Sequence, residues 1–241
     1  MIRALPGDRA RAAAQGAAVG VDLWFWRLDP AAPAGPLSAD EEARAARFVR
    51  APDAMAFRAA RAGLRRVLAG YLGSDPAALT FHYGPQGKPS LPGGPAFNLS
   101  HAGGWAALAV CDADLPLGLD IEAHRAVEPE VAERFFAPAE AAALRGLRGP
   151  ARETAFFRLW TRKEALVKAV GQGLSLPLDS FAVTVDAAAR LLRLDHDDAA
   201  AWTLTDLAPG AGLQGALALR TAGRPVRLCL RAGTLPLTAA N

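Results

Sequence analysis

Two short stretches hold residues whose types and spacing could do chemistry together. In GLDIE (118–122), Asp120 and Glu122 are two positions apart. Side chains alternate faces along a strand, so both carboxylates leave from one side and Leu119 and Ile121 from the other. Two like charges converging on an otherwise apolar strand repel each other and resist burial. A hard cation resolves that, and Mg²⁺ takes carboxylate oxygens alongside substrate phosphates. The bland alternative is an exposed strand end with two solvated acids. Further along, WTRKEALVK (160–168) carries Lys163, Glu164 and Lys168. On a helix Glu164 and Lys168 share a face one turn apart. Leu159, Leu166 and Val170 form a neighbouring apolar stripe, with Lys163 on the near flank. Taken alone, that is a surface ion pair worth a few tenths of a kcal/mol. Composition argues for more. The chain has three lysines (Lys88, Lys163, Lys168) among 27 lysines and arginines. A chain so biased to arginine keeps lysine where a compact point charge differs from a planar fork, as it does against a phosphate.

Other candidates are weaker. Ser100 and His101 in FNLSH are adjacent, so on a strand they face opposite ways and cannot pair as nucleophile and base; no G-x-S-x-G elbow is present. His101 fits better as a phosphate ligand. His82, His124 and His196 have no metal-ligand spacing. QGKPS (86–90) is a Gly–Lys–Pro turn holding the third lysine. Neither a phosphate-binding G-x-x-x-x-G-K-[ST] loop nor a G-x-G-x-x-G dinucleotide fingerprint occurs. Cys111 and Cys229 lie in apolar strand-like runs and read as small buried hydrophobes, as in a reducing cytoplasm.

The elements that would position these groups alternate between both kinds. VDLWFWRL (21–28) reads as a strand. Ser38 followed by Glu41 opens a helix over 38–49 with a capping box, and a second helix runs over 53–72 to Gly73. AFNLSH and WAALAVCD are strands joined by a Gly103–Gly104 turn, and LGLDIEA (117–123) is another. Helices are expected over 129–136, 138–147 and 151–170, then strands at FAVTV, ARLLRL, AWTLTDL, LQGALALR and VRLCLR. The chain also repeats itself. VGVDLWFWR (19–27) aligns with LGLDIEAHR (117–125) at an offset of 98. An offset of 100 pairs Phe57 with Phe157, Arg58 with Arg158, Val67 with Val167 and Gly73 with Gly173. In that alignment Asp22 matches Asp120, but Trp24 replaces Glu122, and Gly63 and Leu64 replace Lys163 and Glu164. One charged site per chain follows.

With 241 residues, half of them apolar, and a net charge of +3, the chain is an ordered globular protein with no signature of nucleic-acid binding. No apolar run approaches the roughly 18 residues of a membrane span, and the N-terminus lacks the apolar stretch of a signal peptide. Arg44, Arg47, Arg50, Arg58, Arg61, Arg65 and Arg66 make a basic helical surface, either a solvated face or a face for an acidic or phosphorylated partner.

Taken together, GKP (87–89), FNLSH (97–101), GLDIE, RFFAPAE (134–140) and WTRKEALVK with GQGLSLPLDSF (171–181) resemble the 4′-phosphopantetheinyl transferases of the surfactin-synthetase-activating (Sfp-like) type, from about Leu37 to Val185. The resemblance implies an α+β pseudo-dimer of two similar halves, 1–115 and 116–241, with the site in the cleft between them. Two fused halves have less need to dimerise, so a monomer is expected, and the cysteine usage points to the cytoplasm. The resemblance also implies an enzyme that moves phosphopantetheine from coenzyme A to a serine of an apo acyl or peptidyl carrier protein, releasing adenosine 3′,5′-bisphosphate. It further implies Mg²⁺, or Mn²⁺ in its place, on Asp120, Glu122 and Glu164. Lys163, Lys168 and His101 would meet the pyrophosphate, with Asp120, Glu164 and Lys168 the catalytic set. Gly87, Lys88, Pro89 and Ser100 would meet the adenosine end, and Arg44 the 3′-phosphate. A second basic position of the family's first helix falls on Glu41, another falls near Ala56, and the last fifty-odd residues match nothing recognisable. Two rival classes share parts of this pattern: another Mg²⁺-dependent phosphoryl-transfer or phosphodiester-cleaving enzyme, and a non-catalytic coenzyme A or carrier-binding relative.

Overall fold

The computed structural model describes residues 16–29, 35–210 and 212–231. The N-terminal segment weighed above for a signal peptide lies almost wholly outside them. The first half runs β1 (Val19–Arg27), α1 (Ala39–Ala45), α2 (Ala51–Leu72), a small hairpin of β2 (His82–Tyr83) and β3 (Pro89–Ser90), β4 (Ala96–Ala102) and β5 (Trp105–Cys111). The second runs β6 (Leu117–Ala123), α3 (Pro129–Phe135), α4 (Pro138–Arg145), α5 (Gly149–Val170), a hairpin of β7 (Phe181–Val183) and β8 (Leu191–Leu194), β9 (Trp202–Leu207) and β10 (Leu213–Arg220). A last strand, β11 (Val226–Arg231), follows. Every element expected from the sequence is present. The helix expected over 38–49 is shorter, stopping at Ala45.

The two halves share one topology. In the first, β5 lies between β1 and β4, all antiparallel; in the second, β10 lies between β6 and β9 in the same way. This is an α+β pseudo-dimer. The long helices also correspond, though not at the offset of 100. Both span 22 residues, with Pro52 and Pro150 in their first turns and left-handed Gly73 and Gly171 as C-caps. These landmarks share the strand offset of 98, so Lys163 corresponds to Arg65, not to Gly63. One strand crosses between the halves: β11 follows the second half in sequence and pairs in parallel with β1 of the first.

Each half is braced by the same buried strut. Glu41, the third residue of α1, accepts from its own N-cap amide at Ser38 (2.9 Å) and from Arg61 Nε (2.6 Å) and Arg65 Nε (2.7 Å) of α2. Arg65 also donates to the carbonyls of Pro76 and Leu79, both at 2.9 Å. In the second half Glu140 accepts from the amides of Ala137 (2.9 Å) and Val183 (2.8 Å) and pairs with Lys163 at 2.7 Å. Lys163 donates to the carbonyls of Leu178 (2.7 Å) and Phe181 (2.8 Å). A buried charge is tolerated when it is paired and its remaining hydrogens are satisfied, and both struts meet that condition.

The halves meet along β4 and β6. No backbone ladder joins these strands. Instead Leu119 N donates to Asn98 Oδ1 (2.8 Å) and Ile121 N to Ser100 Oγ (3.2 Å). Leu117, Leu119 and Ile121 then face the shared core with Val21, Leu23 and Phe25 of β1. Behind β6, α5 comes so close that a Cβ on Gly118 would run into the Ala165 carbonyl and the Ala169 amide. Among the described residues no helix is long and apolar enough to cross a membrane.

Candidate active site

Asp120 and Glu122 leave β6 on the side away from Leu119 and Ile121, and Glu164 and Lys168 project from α5 toward them. A pocket of about 380 Å³ is lined by Ser100, His101, Asp120, Glu122, Trp160, Glu164 and Lys168, among others. It shares His101, Trp160, Glu164 and Lys168 with a larger pocket of about 870 Å³ that reaches Arg44 and the 86–89 turn. The lysine does not pair with Glu164, as one-turn spacing suggested. Its Nζ lies 2.6 Å from Asp120 Oδ1 and 3.1 Å from Ser100 Oγ. Glu122 is held by Arg125 at 2.9 Å.

The carboxylates feel one another. Burial pushes the Asp120 carboxyl above the usual range, against the pull of Lys168. Glu164 is raised in the same direction, first by burial and then by Asp120. The His101 imidazole is lowered by burial and then by the charge of Lys168, both of which favour its neutral form. Among the described residues no three Asp, Glu, His or Cys side chains stand close enough to clasp a metal ion as they lie. The donor set nevertheless fits a divalent cation in one telling respect. Asp120 Oδ2 is buried and accepts no hydrogen bond, which is costly for a carboxylate unless something positive is to meet it.

Three residues of the expected set are engaged by the protein itself. Lys163 is fully buried on Glu140 in the strut described above, away from both pockets. The helix offset of 98 explains why: it does the work Arg65 does in the first half. Ser100 is buried among Asp120, Lys168 and Ile121 rather than at the outer turn. Lys88 lines the large pocket, but its ammonium donates to the carbonyls of Leu117 (2.9 Å) and Ala169 (3.1 Å), tying the 86–89 turn to the second half. Burial lowers its pKa to about 8. A lysine depressed in the fold costs stability while both states are charged. That cost fades as pH climbs from about 8 toward the roughly 10.4 of a free lysine. Stability of the wild type should therefore gain on that of Lys88→Met across this window in thermal melts; a constant difference between the two would contradict the burial of the charge.

Gly87 and Pro89 do line the large pocket, Gly87 in the left-handed conformation (φ 76°) that closes the turn. At the far end Arg44 lies over the Phe57 ring at 5.5 Å, and Phe48 packs on Phe57 at the same centroid distance. The arginine-rich surface is divided. Arg61 and Arg65 are spent on Glu41, Arg58 pairs with Glu42 at 2.8 Å, and Arg44 opens to the pocket. Trp160, Tyr83 and Asn98 line the cleft without having been singled out. Trp160 could have been, since it precedes Glu164 by one helical turn.

The equivalent place in the first half is filled. Asp22 accepts from the Tyr71 hydroxyl, which in turn accepts from Trp24 Nε1 (3.0 Å), and Asp22 pairs with Arg231 of β11 at 2.8 Å.

Residues 116–218 match the family model described as the 4′-phosphopantetheinyl transferase superfamily. The chain is 36% identical over 213 residues to the 4′-phosphopantetheinyl transferase HetI of Nostoc sp., covering 82% of this chain and 87% of that protein. It is 37% identical over 149 residues to a 4′-phosphopantetheinyl transferase of Bacillus subtilis, covering 61% of this chain and 66% of the other. With the transferase Sfp of Bacillus subtilis strain 168 it shares 37% over 123 residues, 50% of this chain and 54% of that protein.

Proposed function

The chain belongs to the 4′-phosphopantetheinyl transferases, and from that membership we propose that it moves the phosphopantetheine arm of coenzyme A onto a serine of an apo acyl or peptidyl carrier protein. Adenosine 3′,5′-bisphosphate is the other product. The observation that carries this reading is the buried, unpartnered Oδ2 of Asp120 in a pocket shared with Glu122, Glu164 and Lys168.

In this reading Asp120, Glu122 and Glu164 hold Mg²⁺ or Mn²⁺. When bound, the ion neutralises charge growing on the leaving phosphate. Lys168 and His101 supply donors to the same pyrophosphate from the protein side. Glu164 lines both pockets, and from there it accepts the proton of the carrier serine directly or through water. The arm and nucleotide lie along the large pocket, with Gly87 and Pro89 at the adenosine and Arg44 at the 3′-phosphate. The enzyme works as a monomer in the cytoplasm. Against a phosphodiester-cleaving enzyme, the large pocket continues well beyond the carboxylates to Arg44, as a long nucleotide substrate needs.

Lys168→Ala should lower the transfer rate about a hundredfold, since the ammonium neutralises Asp120 and faces the pocket. A loss of less than about twofold, the scale of a surface ion pair, would remove it from the mechanism. The reading as a whole is tested by mixing the protein with coenzyme A, Mg²⁺ and an apo carrier protein. Mass spectrometry should show the carrier heavier by one phosphopantetheine group. An unchanged carrier, with several carriers tried, would leave the non-catalytic reading in its place.

A further inference from the structure

Of the arginines in the first half, Arg44 and Arg61 line the large pocket. Arg61 is already engaged: its Nε donates to Glu41 at 2.6 Å and its Nη2 to the Tyr83 hydroxyl at 3.0 Å. A phosphomonoester carries about two negative charges and three strong acceptor oxygens, more than one guanidinium satisfies. If Arg44 meets such a group, further donors must stand beside it.

Tyr83 supplies one. It lies on β2 opposite Pro89 of β3, so the hairpin that carries Gly87 and Pro89 also brings Tyr83 to the pocket. Its hydroxyl oxygen accepts from Arg61. An arginine has no lone pair to offer in return, so this contact does not use the hydroxyl hydrogen. Among the described residues no other group accepts that hydrogen. The phenol is therefore held by its oxygen, with its donor still to be used. Arg44 is near enough for its charge to bear on the phenol. Burial raises the pKa of Tyr83, so the hydroxyl keeps its hydrogen at neutral pH.

We propose that the Tyr83 hydroxyl donates to the 3′-phosphate of coenzyme A beside Arg44, and that the two residues together select coenzyme A over its 3′-dephospho form. This rests on the reading above that puts the 3′-phosphate at Arg44, and it deepens that reading by naming a second contact. The contact answers a local loss. A second basic position of the family's first helix falls on Glu41, which is buried and turned to Arg61 and Arg65. Glu41 brings no positive charge to a phosphate, but it fixes Arg61, and Arg61 fixes the phenol.

The test titrates coenzyme A and 3′-dephospho-coenzyme A into the wild type, Tyr83→Phe and Arg44→Gln by calorimetry. The wild type should bind coenzyme A the more tightly. Tyr83→Phe keeps the ring and removes one hydroxyl, so it should weaken coenzyme A binding about tenfold and leave the dephospho form within about twofold. Retained affinity for the dephospho form also reports that the variant is folded. Arg44→Gln should show the same selective loss. Unchanged coenzyme A affinity in Tyr83→Phe, or equal losses for both ligands, overturns the proposal, and a selective loss in Arg44→Gln would then leave the placement of the 3′-phosphate standing. A wild type that binds both ligands alike would overturn that placement and the proposal with it.

Discussion

Asp120→Asn is expected to lower phosphopantetheine transfer about a thousandfold while leaving the melting temperature unchanged or raising it. The two halves of that expectation come from the same fact. Burial raises the Asp120 pKa in the fold. An acid raised in this way stabilises the fold only below its unfolded pKa, and the benefit is lost as pH rises through the folded value. At neutral pH the charge is therefore a cost, carried for function. Asparagine keeps the shape and an oxygen for Ser100 and Lys168, but it removes the charge from the atom that is buried and bare. Activity and melting temperature measured on one preparation decide the matter. A variant as active as the wild type, or one that is inactive because it is unfolded, would contradict this role.

Lys163→Met should do the reverse. Removing one partner of a buried pair leaves an uncompensated charge, and costs of about 3–5 kcal/mol are typical. Glu140 is the charge left behind, and the Leu178 and Phe181 carbonyls lose their donor as well. The melting temperature should fall by roughly 10 °C or more. Well below that temperature, the turnover number should stay within about threefold of the wild type, a change of under 1 kcal/mol in barrier. A large loss of turnover at unchanged melting temperature would put Lys163 back in the cleft.

The pairing of these two expectations shows what the sequence made legible. Strands and helices were readable because their signals are local: alternation in GLDIE, the Ser38–Glu41 box, glycine at helix ends. The acid pair on β6 and the Glu164–Lys168 face followed from strand and helix periodicity. The role of Lys163 did not, because its partner Glu140 sits on another helix and its carbonyl partners lie beyond the end of its own. An alanine-rich helix also produces coincidental matches, which drew the repeat to an offset of 100 when the caps Gly73 and Gly171 mark 98. The pairing of Lys168 with Asp120 instead of Glu164 was hidden for a related reason: a neighbouring strand offered a more deeply buried carboxylate than its own helix did. The crossing of β11 into the first sheet left no local trace, since an edge strand reads alike whichever sheet it joins.

The struts and the cleft thus divide the chain's unusual lysines between two tasks. Lys163 and Lys88 satisfy buried carbonyls, Lys163 beside a buried carboxylate, and hold each part in place. Lys168 alone of the three meets the acids that are proposed to handle phosphate.

The central claim is that the Asp120 cluster is where the pyrophosphate of coenzyme A and a divalent cation meet. Phosphorus NMR of coenzyme A bound to the protein tests it most directly, with Mn²⁺ as the relaxing ion. The pyrophosphate resonances should broaden strongly and the 3′-phosphate resonance much less, and Asp120→Asn should abolish the difference. Equal broadening of all three phosphates, or selective broadening that survives in Asp120→Asn, would contradict the claim.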